Sequence, residues 1–183
     1  MQSSLEPARP RNFGYAWAAL CFAFVAHVID EATTGFLPVY NATVRALRAE
    51  YFWYPMPTFE FREWLTGLIV ANLVLHLLAP FAFRNARWLR PVAYVYAVIM
   101  ILNASGHTVA TIFGRTVATI HFPRPAPGFY SSPLLLAGSI WLLVALRSSP
   151  ATKRRRVRSA LYLFFTASRR GSAEHSPMSF SVR

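Results

Sequence analysis

The chain has 183 residues, with 19 Lys and Arg against 7 Asp and Glu for a formal net charge of +12, yet 55% of it is hydrophobic. A pI near 11.0 would by itself suggest a nucleic-acid partner, but a mean hydropathy of +0.33 and 15% aromatic content argue against nucleic acid and against intrinsic disorder. The single cysteine, Cys21, excludes an internal disulfide and any zinc site built on paired thiolates.

In chain order, residues 1–12 form a short arm carrying Arg9 and Arg11, and four uncharged runs follow at 12–29, 64–83, 91–114 and 125–146. A helix needs about 20 predominantly apolar residues to cross a hydrocarbon core about 30 Å thick, so each run is long enough, the first marginally. Four such helices in a chain this short would leave no polar face to meet water. The first run ends in His27, Asp30 and Glu31 instead of a small-residue cleavage site, which makes it a retained helix and not a signal peptide.

The loop after the first run is strongly aromatic, with seven Phe, Trp and Tyr in the fourteen residues 51–64, and it is expected to lie along the membrane surface as a cap. Ser131 or Ser132 is the expected N-cap of the fourth helix, with Pro133 in its first turn. Residues 148–183 read as a basic, poorly ordered cytoplasmic tail. Its run Lys153 to Arg158 suits anionic lipids, and its uncharged stretch 159–168 is short enough to lie on the inner leaflet.

Counting basic residues by loop sets the orientation. Fourteen fall on the side of the termini and of the second loop, and five in the first and third loops, which places both termini in the cytoplasm. The expected fold is therefore all-α, an integral membrane four-helix bundle over 13–147 with N-in/C-in topology. The lipid bilayer is its first partner.

Ionisable residues inside a span are costly and point to function. His27 and Glu31 are four residues apart and His27 and Asp30 three, so one helix face carries an imidazole and a carboxylate. The third run carries Asn103 and His107 at the same spacing, with Gly106 expected to admit a close neighbouring helix. Topology puts both pairs at one depth near the outer surface, together with the segment holding Pro127 and Gly128 and with Glu60 and Glu63. Taken singly, each of these residues has a bland reading as an interfacial charge, a packing histidine or a helix-gluing amide. His76 reads as structural, and His121 and His175 as solvated. Asn41 and Asn103 match the N-glycosylation pattern, which is common by chance.

These residues resemble the HXXEE-domain membrane proteins, a group of small bacterial proteins. That family carries His-x-x-Glu-Glu in its first helix, then Asn-x-x-x-His, then a Pro-Gly motif, typically Tyr-x-Pro-Gly, ahead of the last helix. His27, Asp30 and Glu31 match the first motif, Asn103 and His107 the second, and Pro127 and Gly128 the third, in order across about 13–147. Asp30 stands where the family has Glu, and Pro125 where Tyr is usual; Tyr130 is a nearby substitute for the missing hydroxyl. The resemblance implies a membrane-embedded active site and a bacterial inner (plasma) membrane location.

Two His with one or two carboxylates suit zinc or another divalent transition metal, with His27, Glu31 and His107 as ligands and Asp30 as general base or supporting partner. Such a site would hydrolyse a lipid-like small molecule. Without metal, His107 oriented by Asn103 and paired with a carboxylate would serve as acid and base. The competing reading is non-catalytic: a protein that binds a small lipophilic ligand or a metal, or a purely structural polar network.

Overall fold

The structure, a computed structural model, describes residues 12–148; the expected N-terminal arm up to residue 11 and the basic tail from 149 onward lie outside the described residues. Six helices follow one another: α1 (Asn12–Thr34), α2 (Phe36–Glu50), α3 (Phe61–Leu77), α4 (Ala79–Phe83), α5 (Leu89–Phe113) and α6 (Ser132–Arg147). The described residues are all-helical apart from turns and one isolated bridge between Arg115 and His121.

Three helical stretches are long and apolar enough to cross a membrane: α1, α3 continued by α4 (Phe61–Phe83), and α5. The second of these changes helix at Leu78, next to Pro80, whose missing N–H interrupts the hydrogen-bond ladder. The fourth uncharged run does not form a single helix. Its first seven residues, 125–131, are irregular, because Pro125 and Pro127 lack amide donors and Gly128 takes a left-handed φ of 81°. α6 therefore has 16 residues, about 24 Å of rise, which is short of the hydrocarbon thickness.

α1 is the central element. About 56% of its span is buried, against 28% for α5 and 11% for α3 with α4, so the other helices pack around it. Its buried stripe steps by three or four residues through Phe13, Trp17, Leu20, Phe24, His27 and Glu31. The two functional candidates are thus the last two steps of a hydrophobic face, and the same helical period that packs the core carries them inside. α5 behaves likewise, with Leu89, Ala93, Tyr96, Met100, Ala104 and finally His107 buried.

Contacts along α1 fix directions. Gly14 meets Phe83, Trp17 Nε1–H donates to Leu75 O at 2.9 Å, and Phe36, just past the α1 end, stacks on Trp64 at 6.0 Å, so α3 and α4 run antiparallel to α1. α5 is parallel to α1, since His107 reaches the Glu31 end, and α6 begins there. α6 approaches α1 at Gly138, where an added side chain would come into van der Waals contact with Leu20, a small-residue approach usual between membrane helices. His76 does have a structural role: its Nδ1 pairs with Asn72 O at 2.8 Å and its ring meets Phe22 edge-on.

The aromatic loop contains a helix that hydropathy did not anticipate. Gly35, at φ 78°, ends α1 and lets α2 start in a new direction. Residues 51–60 then run irregularly along α2, fastened by Tyr40 Oη–H to Pro57 O, by Arg48 to Met56 O, and by Asn41, whose side-chain amide bonds Phe59 in both directions. That double bond gives Asn41 a packing role. Phe52 and Trp53 remain 94% and 66% exposed, as residues seated in an interface would be.

Candidate metal centre

Two helix ends and one turn build the site. His27 and Glu31 come from the last two turns of α1, His107 from the last two turns of α5, and Ser131 from the turn that opens α6. The imidazoles of His27 and His107 lie edge to face with ring centres 4.9 Å apart, well inside one helix diameter. Nε2 of His27 is 3.3 Å and Nε2 of His107 is 3.1 Å from the same Glu31 oxygen, Oε1. All three residues are buried, and one ligand atom from each lies within 4.8 Å of the others. Ligand atoms around a zinc ion at about 2.0–2.1 Å would be about 3.3 Å apart, which the two contacts of Glu31 Oε1, at 3.3 and 3.1 Å, match.

The hydrogen bonds on the far side of His27 decide which nitrogen carries its proton. Ser131 Oγ is 2.8 Å from His27 Nδ1 and 2.8 Å from Asp30 Oδ2. An ionised Asp30 only accepts, so the Ser131 hydroxyl donates to Asp30 and His27 Nδ1–H donates to Ser131. The Ser131 backbone N–H donates to the same Asp30 oxygen at 2.8 Å. His27 Nε2 is then a lone pair facing two acceptors, Glu31 Oε1 and Asn103 Oδ1, each at 3.3 Å. Turning the Asn103 amide supplies one N–H but leaves the carboxylate against the lone pair. A cation between these atoms, either a proton or a metal ion, satisfies all of them.

Charge balance leads to the same place. The two ion-pair contacts among the described residues are those of Glu31 with the two His, and Asp30 sits just behind them through Ser131. One divalent cation would neutralise both carboxylates in a setting where unpaired buried charge is expensive.

Several expected participants have other roles. Glu60 and Glu63 form a capping box at the start of α3 and do not join the cluster. Asn103 shares a helix face with His107 but pairs with His27, so it does not orient His107. Asp30 is set back behind Ser131, a supporting partner instead of a ligand. Ser131 stands at the N-cap position of α6, where its C=O accepts from Leu135 N–H, but its hydroxyl serves His27 and Asp30 instead of the helix, and Ser132 Oγ–H donates back to Gly128 O. Tyr130 does not replace the missing tyrosine hydroxyl, because it is 70% exposed and its ring packs on Phe129.

Pro127 and Gly128 act through shape. A side chain on Gly128 would lie 2.7 Å from His107 Cε1 and 3.0 Å from Glu31 Cγ, so this turn packs flat against His107 and Glu31. Its backbone N–H donates to Thr34 Oγ1 at 3.0 Å, tying the turn to the end of α1. Phe36 covers His107 from the other side at 5.4 Å. Thr34 and Phe36 went unnoticed in the sequence, and Ser131 was read only as a helix cap; the signal for its role at the site was its position three residues after the Pro-Gly turn.

A cavity of about 530 Å³ opens beside the cluster, between α2, α5 and the segment that follows α5, and His107 and Asn103 form part of its wall. Gly106 lines it as well, and a side chain there would meet nothing within 4 Å. The glycine therefore borders the cavity instead of receiving another helix. Tyr40, also on the wall, is raised above the usual phenol range by burial, with Tyr54 adding and Arg48 opposing, so it stays a neutral donor.

Comparison with protein-family models, with curated proteins and with solved structures yields no match to this chain.

Proposed function

We propose that the protein is a membrane-embedded, metal-dependent hydrolase of lipid-like substrates, in which His27, Glu31 and His107 hold a divalent ion such as zinc. The observation that carries this is the meeting of two imidazole Nε2 atoms on one carboxylate oxygen, with His27 Nδ1 committed to Ser131. The proposal includes four spans in N-in/C-in topology, a site near the outer leaflet of a bacterial inner membrane, and membership of the HXXEE-domain family.

A three-ligand ion with an open position supplies Lewis acidity and activates water near neutral pH. The chain contributes the rest. Ser131 and Asp30 fix the His27 ring with Nε2 toward the ligand position. The same line of atoms, His27 Nδ1, Ser131 Oγ and Asp30 Oδ2, offers a path for a proton away from the buried cluster toward half-buried Asp30. Gly128 and Phe36 close two sides of His107, leaving the cavity as the approach. A second, metal-free reading uses the same contacts, with Glu31 Oε1 accepting from both imidazoles as an acid–base pair.

Metal analysis of the full chain purified in nonionic detergent separates them. The metal reading expects one zinc-class ion per chain, lost in the His27→Ala, His107→Ala double variant. A folded wild-type protein that is metal-free, and stays so when zinc is offered, refutes it and leaves the acid–base reading.

A further inference from the structure

The cavity beside the metal cluster has two unlike ends. At one end lie Asn103 and His107; at the other is Arg115, which follows the left-handed Gly114 that ends α5. Arg115 is exposed and has no carboxylate partner among the described residues, where both ion pairs belong to Glu31. Between the two ends the wall is mainly apolar and includes Leu102, Val109 and Phe113.

The opening is as informative as the lining. Leu102, Gly106, Val109 and Phe113 follow one another by three or four residues and so form a single stripe on α5. All four are exposed, on a helix apolar enough to cross a membrane, so with α5 in a bilayer this stripe would face hydrocarbon and the cavity would open sideways into it. Gly106 leaves a notch in the middle of that stripe, beside His107. The volume falls in the roughly 300–1,000 Å³ range of small-molecule sites.

We propose that the cavity binds an anionic amphiphile from the bilayer, with its headgroup at Arg115 and its hydrocarbon chain lying along the Leu102 to Phe113 stripe past Gly106. Occupancy of this kind makes anionic lipids the substrate class of the neighbouring centre. The assignment of a substrate rests on the metal reading; the binding itself does not. Charge complementarity selects the anion, since an unpaired guanidinium at the mouth of an apolar cavity has no partner in the described protein and forks readily onto phosphate or carboxylate. The sideways opening selects a lipid over a free anion, which would reach Arg115 without needing the apolar length.

The test uses the full chain in nonionic detergent, with retention of oleoyl lysophosphatidate, of neutral monoolein and of inorganic phosphate read by native mass spectrometry and by ligand-dependent thermal stabilisation. One lysophosphatidate per chain is expected, about tenfold or more tighter than monoolein, with no retention of phosphate. Arg115→Gln should reduce lysophosphatidate binding to the monoolein level. Gly106→Leu, which fills the notch, should abolish lipid binding while leaving gel-filtration behaviour and metal content unchanged. Equal retention of the anionic and neutral lipids, binding of phosphate as tight as that of the lipid, or wild-type binding by both variants would overturn the proposal. Lipid preference kept by the His27→Ala, His107→Ala variant supports the cavity even if no metal is found, whereas its loss from metal-loaded Arg115→Gln with Gly106 intact supports the headgroup assignment itself.

Discussion

Replacing glycine by alanine at three positions subjects the site to one perturbation in three settings, and the structure assigns each a different outcome. At Gly128 the residue sits at φ 81°, where alanine costs about 1–2 kcal/mol, and the new methyl lies 2.7 Å from His107 Cε1, 2.9 Å from His107 Nδ1 and 3.0 Å from Glu31 Cγ. Overpacking of this kind typically adds about 1–3 kcal/mol, so roughly 2–5 kcal/mol is expected in total. Because the atoms that must yield belong to two proposed ligands, metal affinity should fall along with stability. At Gly35 the φ is also unfavourable, at 78°, but nothing lies within 4 Å, so only the strain of about 1–2 kcal/mol remains and metal binding should be nearly unchanged. Gly106 is helical and open, so alanine should be neutral or stabilise by up to about 1 kcal/mol. Thermal unfolding followed by tryptophan fluorescence, with zinc affinity measured by chelator competition, gives both readouts in detergent. Equal damage from all three substitutions, or a Gly128→Ala protein with wild-type stability and zinc affinity, would refute the packing argument.

Two further outcomes test other parts of the arrangement. Ser131→Ala removes the hydroxyl that joins His27 Nδ1 to Asp30, and zinc affinity should drop about 10- to 100-fold with helicity by circular dichroism unchanged; unchanged affinity would show that the His27 ring is held without it. For topology, Arg45→Cys should react with a membrane-impermeant thiol reagent added outside intact cells and Arg87→Cys should not, against a low background because Cys21 is buried. The reverse pattern would invert the orientation.

The residues that cluster were legible because each lies toward the end of a periodic pattern. His27 and Glu31 continue the α1 stripe that begins at Phe13, and His107 closes that of α5 with half-buried Asn103 one turn before it, so a helical reading of the sequence already places them toward the interior. Glu60 and Glu63 shared the depth of these residues but not their direction, and the α3 N-terminus took them as caps. Ser131 was visible only as a cap candidate, since a serine before a helix ordinarily bonds its own helix; here Asp30 and His27 compete for it successfully. α2 was hidden because its polar face and its aromatic neighbours dilute the hydropathy that marks the spans.

What the sequence by itself determined is the environment and the contents of the site. Long uncharged runs force helices into an apolar medium, and a few ionisable residues within them are too costly to be incidental. Tertiary structure alone decided who touches whom. The rotation of α5 about its axis sent Asn103 to His27 and His107 to Glu31, and the Pro-Gly turn laid Gly128 flat against His107 and Glu31. Sequence spacing fixes which side chains share a face of one helix. The angle at which two helices meet, and the path of the irregular segment between them, depend on packing across the whole bundle.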